Sequence, residues 1–285
     1  MMARVVDRVM RKLVPRPADI PRPWRGIDVE GAERTFRFLR YGDCGWRENN
    51  RGHSLGQRAG YPLVLAERLA ERGISTSFSD VYLGPATRLP ETPEELTRFV
   101  KLDGPPDIVL LECCSAHAVR SVIPLRKPWY NDLRINVGDR SGALARPVYP
   151  FVHWASRRFG RLVDPFPGTE RHARFFELVR SQWPDATLLM MSPLCRIWTD
   201  GFLDAAEQMH VWRQINALCE EMGITVVDTR DTIDSLRATL GVRAVNAYNG
   251  YDLRRPGHEA VADLLMPHAV ERVRARVPRE VTTGA

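Results

Sequence analysis

The sequence predicts an α/β protein: a three-layer α/β/α sandwich built on a parallel, flavodoxin-like sheet of five strands. Three observations predict it. Five strand-like runs, at residues 35–39, 74–78, 107–111, 186–191 and 224–227, alternate with stretches whose apolar residues recur at helical spacing. The run Asp107-Ile108-Val109-Leu110-Leu111 is apolar after its first residue, as a parallel strand covered on both faces requires. No internal repeat or low-complexity segment interrupts the alternation, so one domain with helices on both faces of its sheet accounts for the pattern. In that architecture a ligand lies outside the carboxyl ends of the strands.

Length and composition narrow the class. A chain of 285 residues, 44% hydrophobic and 27% charged, can bury one large core or two modest ones. Lys and Arg number 41 against 35 Asp and Glu, a net charge of +6 that suits an anionic small molecule or glycan and equally a solvated basic surface. No zinc-finger spacing or basic–aromatic RNA motif is present, so nucleic acid is not an expected partner. Five cysteines, Cys44, Cys113, Cys114, Cys195 and Cys219, follow no disulfide-scaffold pattern. No run approaches the ~18 apolar residues of a membrane span. The arginine-bearing start has no apolar core of a secretory signal. The expected location is cytoplasmic, with reduced thiols.

Taken in order, residues 1–34 read as a basic helix and a proline-rich linker, 35–277 as the domain, and 278–285 as a tail. Val5, Val6, Met10 and Leu13 share one flank of residues 1–13. Such a helix docks on its own domain or a partner more often than on a membrane surface. Pro15, Pro17, Pro21 and Pro23 make the linker extended. The strand at 35–39 runs into a turn, Tyr41-Gly42-Asp43-Cys44-Gly45, that would lift Cys44 out of the sheet's end. A polar loop with His53 follows, then a helix over 61–70 stopped by Gly73. Beyond the strand at 74–78 stands Leu83-Gly84-Pro85, a tight turn. Thr92-Pro93-Glu94-Glu95 is a helix start with a Thr cap, Pro at the first position and Glu three residues after the cap; the helix should reach about Lys101.

The strand at 107–111 ends in Glu112-Cys113-Cys114-Ser115-Ala116-His117. Residues 119–167 form an insertion rich in arginine and aromatics, among them Arg126, Trp129 and Arg134. Loops at this end of a sheet supply specificity, and Arg beside aromatics suits sugar rings, phosphate or carboxylate. The insertion is expected to rim the pocket. Helices over 173–183 and 202–222 lead to the strands at 186–191 and 224–227, the second followed by Asp228, and residues 258–274 close the chain as a helix.

From about Thr35 to Val273 the chain resembles the SGNH (GDSL) hydrolase family. Gly42-Asp43-Cys44 stands where the family carries Gly-Asp-Ser, with Cys44 in the nucleophile's place. Gly84 fits the glycine whose N–H helps bind an oxyanion. The family's Gly-x-Asn-Asp falls on Cys114 and Ala116, which removes the Asn donor unless His117 replaces it. The final Asp-x-x-His block, aligned on Gly257-His258, places Asn249 at the Asp and Asp252 at the His. His258 itself is implied to be structural.

The resemblance implies acyl chemistry on an ester, and the residues qualify it. A thiol ionises more readily than a hydroxyl, so Cys44 needs less help from a base. A carboxylate at Asp252 disfavours the thiolate by like-charge repulsion, which arginines or His117 would offset. Three readings follow. The chain is a divergent hydrolase or acyltransferase acting on an acetyl or other acyl ester, with Cys44, Asp252, His117, Asn249 and Gly84 as catalytic candidates and Asp43, Cys114, Trp129, Arg126 and Arg134 contacting substrate. Or it is a degenerate domain that binds a carbohydrate or acylated ligand without turnover. Or Cys44, a cysteine of the pair and His117 hold a metal or redox site. No cofactor is required by the first two. The substrate expected is a small-molecule or glycan acyl ester.

Overall fold

A computed structural model of the chain describes residues 25–42, 60–83, 89–112, 120–121, 154–156, 158–162, 165–166, 168–193, 205–246 and 253–275. In chain order the strands are β1 (Gly26–Ile27), β2 (Thr35–Gly42), β3 (Ser75–Tyr82), β4 (Ile108–Glu112), β5 (Arg120–Ser121), β6 (Arg161–Leu162), β7 (Thr187–Met191) and β8 (Thr225–Val227). The helices are α1 (Tyr61–Ala70), α2 (Pro93–Thr97), α3 (Thr169–Gln182), α4 (Ala205–Glu221), α5 (Arg230–Leu240), α6 (Val242–Val245) and α7 (Arg255–Ala275). Six strands make one sheet in the order β1-β3-β2-β4-β7-β8, and β5 pairs with β6 as a separate ribbon.

The five expected strands are all parallel to their neighbours. The sixth, β1, adds an antiparallel edge on β3, in a stretch that reads as linker from its prolines. Glycine permits it: Gly26 sits at φ +142°, and a Cβ there would stand 1.9 Å from the Thr76 carbonyl oxygen.

Alternation along the strands divides the core in two. Phe36, Phe38, Phe78, Ile108, Leu110, Leu189 and Val227 face α1, α5 and α7. Leu39, Tyr41, Val81, Val109, Leu111, Leu188 and Met190 face α2, α3 and α4. This is the three-layer sandwich. Burying each such side chain is worth about 1.5–3 kcal/mol, which overrides weak local preferences along the strands. No helix among the described residues is long and apolar enough to cross a membrane.

Several boundaries differ from expectation for visible reasons. β2 runs on to Gly42 and β3 to Tyr82, past the ends expected at residues 39 and 78, because Arg40 and Asp80 satisfy each other across the ladder. At α2 the Thr92 cap forms, its hydroxyl accepting from Glu95 N at 3.2 Å. That helix ends early, because the Lys101 amide goes to the Ser79 hydroxyl at 2.9 Å. α7 starts at Arg255, three residues before the expected start, with Pro256 in its first turn where no N–H is needed.

Candidate functional site at the carboxyl edge

β2, β3 and β4 reach the carboxyl edge together. Gly42 is in register with Tyr82 on one side and Glu112 on the other, and Leu83 N donates to the Gly42 carbonyl at 2.6 Å. Asp43 and Cys44 follow Gly42, Gly84 follows Leu83, and Cys113 and Cys114 follow Glu112. The described ends of β2, β3 and β4 thus lie at one edge, directly before the three candidate segments in the sequence. An antiparallel bridge between Asn246 and Leu253 brackets the final block. Cys44, Asp252, His117, Asn249, Gly84, Asp43, Cys114, Trp129, Arg126 and Arg134 all lie outside the described residues.

Immediately beneath this edge, on the α1 and α7 face, the structure places a cluster of buried charge. Arg40 is fully buried. Its Nη1 donates to Asp80 Oδ1 of β3 at 2.6 Å, and its Nε to Glu112 Oε1 of β4 at 2.9 Å. Its Nη2 donates to Glu112 Oε2, completing a fork. Tyr61, from the first turn of α1, accepts from Arg40 Nε at 3.0 Å and donates to Glu112 Oε1. Burial alone would lower the Arg40 pKa, but the negative Glu112, with Tyr61 and Asp80, raises it well above the usual value. Burial and the Glu112 charge push the Tyr61 phenol well up, so it stays a donor. His258 is fully buried next to this layer, its ring centroid 6.1 Å from that of Tyr61, in keeping with a structural histidine.

This cluster is absent from the sequence reading, which ends the strand at Leu39 and gives Arg40 no role. The signal was available in alternation: Phe36-x-Phe38-x-Arg40, Phe78-x-Asp80 and Ile108-x-Leu110-x-Glu112 each end an apolar face on a charge. Two acids flanking one cation on adjacent strands is the arrangement that makes such an ending tolerable.

A second polar group sits where β7 and β8 end. Ser192 and Thr229 are fully buried; their hydroxyls are 3.0 Å apart, and Thr229 N donates to Ser192 Oγ at 2.8 Å. Asp228 receives Arg230 Nε at 2.8 Å and is held below the ordinary carboxylate range first by these hydrogen bonds. That assigns Asp228 the hydrogen-bonding role its position at a strand end suggests. A carboxylate depressed in the folded state stabilises above its unfolded pKa, and the contribution disappears as pH falls through the lower folded value. Asp228→Asn is therefore expected to leave stability near neutrality lower than wild type and to narrow the gap progressively below about pH 4, as urea midpoints across pH 2–7 would show. A constant gap over that range would remove the pair from the acid response.

Of the insertion, β5 and β6 pair in antiparallel register, and Trp154 and Phe159 stand exposed at 52% and 65% with rings edge to face at 5.7 Å. Arg158 lies 5.9 Å from the Phe159 centroid. The aromatic and basic character read from the sequence is thus on the surface in this part. Trp183, Trp212 and Cys219 are buried in the core.

No protein-family model matches the chain, and no curated protein matches its sequence. Solved structures do match its fold. A GDSL-like lipase of Parabacteroides merdae superposes with a TM-score of 0.51 at 13% identity, over 86% of this chain and all of the other. A lipase/acylhydrolase of Enterococcus faecalis superposes with a TM-score of 0.50 at 10% identity, over 83% of this chain and 96% of the other. With a parallel five-stranded core, helices on both faces and these structural neighbours, the chain has the SGNH (GDSL) hydrolase fold.

Proposed function

We propose that this protein is an SGNH-type ester hydrolase or acyltransferase that works through a cysteine. The observation that supports it most is the position of Gly42: β2 ends there in register with β3 and β4, and the next two residues are Asp43 and Cys44. In this reading the Cys44 thiolate attacks the acyl carbon of the ester, and the electron pair of the carbonyl moves onto oxygen. The Gly84 N–H supports that oxyanion. The intermediate collapses to a Cys44 thioester and an alcohol, which takes its proton from His117. His117 holds for that transfer the proton first taken from the Cys44 thiol. Water, or an acceptor hydroxyl, then gives its proton to His117 and attacks the thioester. The C–S bond breaks to release the carboxylic acid or the new ester, and His117 returns the proton to the Cys44 thiolate. Asn249 and Asp252 orient the base and the substrate rather than forming a Ser-type triad. Asp43 and Cys114 border the acyl group, and Arg126, Arg134 and Trp129 hold an anionic or glycan alcohol portion. We place the protein in the cytoplasm, where the thiol stays reduced.

Intact-mass spectrometry after exposure to p-nitrophenyl acetate tests this. One acetyl adduct is expected, mapping to Cys44 and absent from Cys44→Ala. An adduct on a serine, or an equal adduct on Cys44→Ala, would sink the assignment. No adduct and no turnover over a panel of activated esters would favour a domain that binds without reacting.

A further inference from the structure

The Arg40 cluster lies where stability alone gives no reason for it. Most of the side chains around it on the α1 and α7 face are apolar, among them Phe36, Phe38, Leu110, Leu189 and Leu265. A buried ion pair is often no more stabilising than apolar residues of the same volume. Here the charges stand near the carboxyl ends of three adjacent strands, one on each: Arg40 two residues before the end of β2, Asp80 two before the end of β3, and Glu112 at the end of β4. Arg40 and Asp80 are direct partners in the ladder, whereas Glu112 is opposite Gly42. The guanidinium therefore reaches forward, past its own register position, to lie under Gly42. A Cβ on Gly42 would stand 2.6 Å from Arg40 Nη2 and 2.8 Å from Glu112 Cβ. Glycine is what lets fork and turn share that space.

We propose that the Arg40–Glu112–Asp80 cluster, with Tyr61, is the positioning unit of the site: it fixes the exits of β2 and β4 relative to each other and so sets where Cys44 and the Cys113-Cys114 pair begin. Its geometry fits the task. A planar fork gripping one carboxylate through two nitrogens fixes distance and orientation together, which a single hydrogen bond does not. Tyr61 then anchors that carboxylate to α1, so the unit is tied to the helical layer as well as across the sheet. None of these residues needs to touch substrate. Arg40 is a positioning residue and not a catalytic one.

This inference rests on the reading of the carboxyl edge as the site, and the experiment separates the two. The charge-free variant Arg40→Met/Asp80→Asn/Glu112→Gln removes all three charges of the cluster together and keeps an acceptor for Tyr61. Its thermal midpoint is expected within a few degrees of wild type. Hydrogen–deuterium exchange should rise at least tenfold in peptides covering 40–46 and 110–116 and stay at wild-type rates in α7 and β8. Turnover of p-nitrophenyl acetate should fall at least thirtyfold in kcat with KM changed less than threefold. Arg40→Lys, which keeps the charge but loses the fork, should show the same local loosening in milder form, and it supplies the measurement if the triple variant does not fold. Wild-type exchange at both exits, in the triple variant or in Arg40→Lys if that is the one that folds, overturns the proposal. So does exchange that rises uniformly over the chain, which marks a purely structural role. An inactive wild type with the local exchange result intact would end the ester reading and leave the positioning unit standing. Undiminished turnover in a folded triple variant would do the reverse.

Discussion

Arg40→Met alone lowers the free energy of unfolding by about 3–5 kcal/mol, because it removes the guanidinium that pairs with two largely buried carboxylates. Side-chain exposure is 0% for Arg40, 14% for Asp80 and 7% for Glu112, so water does little to replace the lost guanidinium. The contrast is with the surface pairs. Arg174–Glu170 is more than 70% exposed on both sides, and such a pair is worth about 0–1 kcal/mol. Urea denaturation of the two single variants, Arg40→Met beside Arg174→Met, measures the difference directly. A loss below about 1 kcal/mol at Arg40 would mean that Asp80 and Glu112 regain water or protons on its removal, and that the cluster is less desolvated than its burial indicates.

The fold was legible because it rests on features that survive in a single sequence. The apolar run at 108–111, the Thr92 cap with Pro93 and Glu95, and the stop at Gly73 are each written in a few consecutive residues. What stayed hidden depends on distant partners. Arg40 falls just past the strand read from the sequence until Asp80, 40 positions later, and Glu112, 72 positions later, arrive to pair with it. Asp80 falls past the strand at 74–78 for the same reason. The short edge strand at Gly26 was invisible because two residues carry no alternation, and what allows it is the Thr76 carbonyl against which only glycine fits. For the site, sequence gives the order of the segments and the fold gives their common edge. The chemistry at Cys44, Asp252 and His117 rests on the resemblance and on the experiments above.

Phe175→Ala is expected to cost as much as the loss of Arg40, about 3–5 kcal/mol, through a different mechanism and with a different consequence. Phe175 projects from α3 into the opposite face of the sheet, 1% exposed, its ring edge to face with Tyr41 at 5.6 Å and 5.9 Å from Phe176. Removing the ring opens a cavity that α3 and the sheet fill only in part, whereas Phe175→Leu keeps most of the volume and should recover more than half of the loss. Tyr41 lies between Arg40 and Gly42 in β2, so this face also supports the site strand. It is secured a second way: Tyr41 OH donates to the Leu96 carbonyl at 2.6 Å, and burial holds the phenol protonated by raising its pKa. The cavity should therefore leave the β2 exit where it is. Under conditions where Phe175→Ala remains folded, acetyl-adduct formation at Cys44 should match wild type within about twofold while the urea midpoint falls, the opposite of the charge-free Arg40 variant, which keeps its stability and loses its geometry. Loss of the adduct in folded Phe175→Ala would show that both faces of β2 set the turn, and the special place of the Arg40 fork would be lost with it.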